Sequence, residues 1–231
     1  ELKHQLEDSG ASALVVMENF AATAQEILKE TKIKQVITTS IGEMLGPKGI
    51  LVNFVLKYVK QAVPSFDLPD AISFKDALKL GARQKLPSVS IQHSEIAFLQ
   101  YTGGTTGVSK GAMLSHRNLV ANMQQASAWL GHGIKEGEET IITALPLYHI
   151  FALTVCMMMG MDLGGKNVLI PNPRDIPAFV KMISHEKLHI FPGLNTLFNA
   201  LLNNEEFRKL DFKPMLLTLG GGMAVQSAVA E

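Results

Sequence analysis

The run Tyr101-Thr-Gly-Gly-Thr-Thr-Gly-Val-Ser-Lys-Gly111 concentrates glycine, threonine and one lysine between two short apolar stretches, Ile96 to Leu99 and Gly111 to Leu114. Glycine lets a backbone turn with positive φ and approach a ligand closely. Threonine hydroxyls and freed N–H groups donate hydrogen bonds, and Lys110 adds a fixed positive charge. Polyphosphates need many donors converging on anionic oxygens, and this set provides them. An ordinary Gly/Ser/Thr surface turn has no need of a lysine and three hydroxyls together, so phosphate binding is the better reading.

The spacing is not that of a Walker A loop, in which Gly-Lys-Ser/Thr opens a helix. Here Lys110 follows Ser109, precedes Gly111 and leads into a predicted strand. The segment resembles the signature loop of the adenylate-forming superfamily, which includes acyl-CoA synthetases, luciferases and peptide-synthetase adenylation domains. The chain departs from that pattern at Gly103, where Ser is common, and at Ser109, where Pro is common; neither change removes a charge. Ser115-His-Arg-Asn-Leu119, Leu145-Pro-Leu-Tyr-His149 and Thr218-Leu-Gly-Gly-Gly-Met223 follow in the family's order. Glu1 to Ala13, Asp162 to Ile176 and Leu194 to Leu210 are similar to the bacterial long-chain-fatty-acid–CoA ligase branch.

The resemblance implies an ATP-dependent reaction joining a fatty acid to AMP and then to coenzyme A. Magnesium would serve the parent enzyme through a glutamate outside this chain. Thr102, Gly103, Gly104, Thr105, Thr106, Gly107 and Lys110 would grip the β and γ phosphates. Gly220, Gly221 and Gly222 would border the adenine and acyl pocket, and His149 would edge it, with Lys110 and His149 the catalytic candidates. The chain by itself is expected neither to adenylate nor to form thioesters. A non-catalytic nucleotide- or acyl-binding module is the alternative.

Positioning these residues requires α/β layers. Helix and strand alternate along the chain, which argues for parallel sheets with crossover helices. The implied fold is two Rossmann- or flavodoxin-like parallel-sheet layers of an acyl-CoA synthetase N-terminal domain, incomplete, divided into subdomains 1–92 and 93–231. In the first, Glu1 to Asp8 ends a helix at Gly10, Ala13 to Met17 is a buried strand, Asn19 caps a helix to Glu30, and Gln35 to Thr38 is a strand. In the second, Ser115 caps a helix to Leu130, and strands at 167–170, 189–191 and 215–219 alternate with helices opened at Asp175 and Asn195. Gly220 to Gly222 then fall past a strand's C-terminal end, where open α/β sheets bind ligands.

At 231 residues, 47% apolar, with 21 basic and 21 acidic side chains, the composition is that of a folded chain with a real core and not of a nucleic-acid binder. A lone Cys156 rules out an internal disulfide and suits a reducing, cytoplasmic compartment. Residues 50–62 carry Leu51, Phe54, Val55, Tyr58, Val59 and Ala62 on one helical face, with Lys57 and Lys60 on another. Such a helix can cover a sheet or rest peripherally on the inner face of an anionic membrane. Thr140 to Met161 lacks charged residues, but its continuous apolar part, 150–161, is about 18 Å of helix, too short for a bilayer. His185-Glu-Lys-Leu-His189 matches a zinc-protease pattern, yet its second histidine opens a predicted strand, so no metal is assigned. Open sheet edges would favour association into a homodimer.

Overall fold

The computed structural model describes residues 1–103, 107–130 and 133–230. The chain forms two compact units, one of residues 1–91 with 101–113, the other of residues 92–100 with 114–231.

In the first unit, α1 (Leu2–Asp8) precedes β1 (Ala13–Met17), α2 (Glu18–Leu28) and β2 (Gln35–Thr39). α3 (Pro47–Phe54) runs on into a π-helical turn, Val55–Val59; a two-residue β3 (Ile72–Ser73) then leads into α4 (Phe74–Ala82). The sheet order is β1-β2-β3, all parallel, with Ala13 opposite Gln35 and Ile37 opposite Ile72. Ala21 and Ala24, one helical turn apart, are fully buried, so α2 sits close on its strand with no bulky side chain between. Ser73 opens α4 as the sequence signals: its hydroxyl accepts the Asp76 N–H at 3.0 Å.

Three expectations change here. β1 is only partly buried, with Val15 56% exposed. The cap of α2 is Met17 and not Asn19, whose amide donates to the Ala62 carbonyl at 2.7 Å and ties α2 to the end of the π turn. The apolar face of α3 and the π turn is largely open: Leu51, Phe54, Tyr58 and Val59 are exposed and Val55 is half-buried.

Among the described residues β4 (Ile96–Thr102) and β5 (Lys110–Ser115) form a two-stranded sheet. α5 (His116–Leu130) follows, with the Ser115 hydroxyl accepting the Asn118 N–H. The rest of the second unit is β6 (Thr140–Thr143), α6 (Ile150–Ala152), a π segment (Leu153–Met158), α7 (Met159–Asp162), β7 (Lys166–Leu169), α8 (Ile176–Ile183), β8 (Ile190–Gly193), α9 (Asn195–Leu202), α10 (Glu205–Arg208), β9 (Leu217–Gly220) and α11 (Ser227–Ala230). Its sheet is parallel in the order β7-β6-β8-β9.

Adjacent strand residues point to opposite faces, and both faces of this sheet are covered. Ile142 and Phe191 pack with Phe179, Ile183 and Leu201 from α8 and α9. Their neighbours Ile141 and Ile190 pack instead with Ala152 and Cys156 of the 150–162 helical stretch. From Ile150 to Gly160 the stretch carries no charge and is largely buried. Among the described residues no helix is long and apolar enough to cross a membrane.

Candidate functional site

The phosphate-binding candidates lie where β4 ends and β5 begins. Thr102 is the last residue of β4 and Gly103 follows it, both exposed; Gly104, Thr105 and Thr106 lie outside the described residues. Gly107 has φ +95°, a conformation that side chains with a Cβ adopt only under strain. Lys110 opens β5 with its side chain exposed, and among the described residues its ammonium has no hydrogen bond or ion pair. A cation held out from a strand end, unneutralised by its neighbours, suits an incoming anion.

The base of this loop is held firmly. The Tyr101 ring lies against Gly111, where an added Cβ would come within 2.9 Å of it, so glycine at 111 permits the close pairing. The Tyr101 hydroxyl donates to Asp8 at 2.5 Å, and that bond to a carboxylate raises the phenol's pKa above its ordinary value. Ser109 is buried, its carbonyl 3.0 Å from His4 Nε2 and its hydroxyl 3.4 Å from the Gln5 amide nitrogen. A carbonyl only accepts, so His4 must carry a proton on Nε2. These contacts to α1 join residues about a hundred positions apart and escape any local motif.

The remaining candidates meet within the second unit. His149 is exposed and caps α6, its Nδ1 accepting the Phe151 N–H at 3.3 Å. In the neutral ring that bond places the proton on Nε2. Phe151, two residues on, lays its ring against Gly221, where a Cβ would fall 2.5 Å from ring carbons. A Cβ on Gly220 would meet Val225 at 2.0 Å, and Gly222 turns the chain with φ +74°. The Gly221 N–H bonds the Gly193 carbonyl at 3.2 Å, extending the β8–β9 pairing into the turn. Asn195 Oδ1, buried, accepts the Gln226 N–H at 2.9 Å and fixes the chain after the glycines. Phe151 thus links the two candidates, its backbone N–H bonded to His149 and its ring laid against Gly221.

His185 lies beyond the end of α8, and His189 Nδ1 accepts the Thr140 N–H at 2.9 Å, so His189 secures the start of β6. No group of three or more His, Cys, Asp or Glu side chains able to hold a metal gathers among the described residues. Cys156 is buried, and loss of solvent pushes its thiol up to about 11.

Comparison with known proteins gives this geometry a family. The AMP-binding enzyme profile matches residues 1–231. A long-chain-fatty-acid–CoA ligase from Escherichia coli O157:H7 is 53% identical over the whole chain, which spans 41% of that relative's length. An anthranilate CoA ligase solved with anthranoyl-AMP superposes with a TM-score of 0.76 at 21% identity, over 99% of this chain and 39% of its own. A long-chain-fatty-acid-CoA ligase from Archaeoglobus fulgidus gives 0.66 at 22% identity, with the same coverage of 99% and 39%. A glycine-rich loop ending on an exposed lysine, a glycine turn past a parallel strand and a profile match from end to end place this chain in the AMP-binding enzyme family.

Proposed function

We propose that this chain is the nucleotide-handling part of an acid–thiol ligase that activates a long-chain fatty acid with ATP and passes the acyl group to coenzyme A. The observation that carries the reading is Lys110, exposed and unpaired among the described residues at the mouth of a loop of glycines and hydroxyls. In the first step the fatty-acid carboxylate attacks the α-phosphate, the bond to the β-phosphate breaks, and pyrophosphate leaves with the charge. Donors and a cation set in advance around that leaving group lower the barrier. Thr102, Gly103, Gly104, Thr105, Thr106, Gly107 and Lys110 take that role. In the second step the coenzyme A sulfur attacks the acyl carbonyl and AMP leaves.

Gly220, Gly221 and Gly222 border the adenine and acyl groups, and His149 offers its Nε2–H at their edge. Magnesium would accompany the phosphates, but this chain assigns it no ligand. We also assign residues 1–92 and 93–231 to two subdomains of one AMP-binding domain, and a cytoplasmic location to the parent. The exposed face of α3 with Lys57 and Lys60 is a site for peripheral contact with the membrane's inner face.

The test is Lys110→Ala in the parent ligase, assayed by fatty-acid-dependent pyrophosphate release. A fall of about a hundredfold or more is expected for loss of a charge that stabilises the transition state. Release at the unmodified rate would overturn the reading.

A further inference from the structure

α1 lies about ninety residues before the phosphate loop, yet it touches both arms of it. His4, Gln5 and Asp8 fall on one helical face, at i, i+1 and i+4. Asp8 accepts from Tyr101 at the end of β4, while His4 and Gln5 reach the carbonyl and hydroxyl of Ser109, immediately before Lys110. α1 is itself anchored, through buried Leu6 and through Lys3, which pairs with Glu30 beyond α2.

We propose that α1 is a positioning element for nucleotide binding: Asp8, His4 and Gln5 bracket the loop and set where Lys110 presents its charge. The bracket works by holding Tyr101 and Ser109, the residues beside Thr102 and Lys110. A charge held in place beforehand binds more tightly because less freedom is lost on binding. Tyr101 contributes twice, with its ring seated on Gly111 and its hydroxyl on Asp8. Ser109 is the hinge of the second contact, since its side chain is one of the few polar ones buried in the chain. None of the three α1 residues needs to touch the nucleotide.

This inference rests on the phosphate reading of the loop, and the two fail separately. In the parent ligase, KM for ATP, KM for fatty acid, kcat and melting temperature are measured for Asp8→Ala, Asp8→Asn and Tyr101→Phe. Asp8→Ala and Tyr101→Phe should each raise KM for ATP about fivefold, the worth of one hydrogen bond. The double variant should be no worse than either single one, because both remove the same bond. Asp8→Asn, which keeps an acceptor oxygen, should stay near the unmodified value. KM for fatty acid and the melting temperature should hold steady throughout. An unchanged KM for ATP, or a parallel rise in both KM values with a lowered melting temperature, would overturn the positioning role. If Lys110→Ala is also silent, the phosphate reading itself has failed.

Discussion

The loop ending at Lys110 and the turn at Gly220–Gly222 are both glycine-rich, and they use glycine for opposite reasons. Around Gly103 and Gly107 an added Cβ would meet nothing within 4 Å among the described residues. Only the backbone angle at Gly107 calls for glycine there. Gly220 and Gly221 are constrained by crowding, with Val225 and the Phe151 ring where a side chain would go. The loop leaves its described glycines bare toward open space. The turn keeps its own bare so that the protein can close on itself. A glycine cluster in a sequence does not distinguish the two; the neighbours do.

The sharpest test of this contrast is Gly221→Ala. Pushing a methyl into the Phe151 ring should cost about 1–3 kcal/mol, read by urea denaturation of the chain. A loss below about 0.5 kcal/mol would mean that the ring yields freely and the contrast is false. Gly107→Ala should be milder, about 1–2 kcal/mol, and conformational in origin. On the crowded side, Cys156 should resist alkylation in the folded chain at neutral pH. Burial favours its protonated form, so its contribution to stability is full below the ordinary thiol pKa and is lost as pH rises toward about 11. Rapid labelling at pH 7 under native conditions would contradict that. Smallest of all, Gly103→Ser should stay within about 0.5 kcal/mol of the unmodified chain.

Much of this was legible in the sequence wherever the signal was local. Ser73, Ser115 and Asp175 were readable as helix openers, and each side chain accepts an amide N–H in its first turn. The uncharged run 140–161 became a fully buried strand and a largely buried helix, packed into the core clusters on the two faces of one sheet. Asn19 misled because its amide found a partner 43 residues away, where no cap rule looks. α10 was missed although Asn204 caps it, since a four-residue helix leaves too little periodicity to register. The glycine turn was visible, but its seating under Phe151 was not, because two segments about seventy residues apart meet there. The bracket from α1 lay furthest from view: neither His4 nor Asp8 stands out until the chain has folded.

The seat of Ser109 against α1 has a consequence for how this stretch changes over generations. A replacement at position 109 takes away the hydroxyl that meets Gln5 but leaves the backbone carbonyl that meets His4, whereas a replacement at His4 or Gln5 strips a partner from a serine shut away from water. Positions 5 and 109 are therefore coupled through their side chains, while position 4 answers to a carbonyl that any residue at 109 provides. Divergence in the opening helix would then retune the loop without a single substitution inside it.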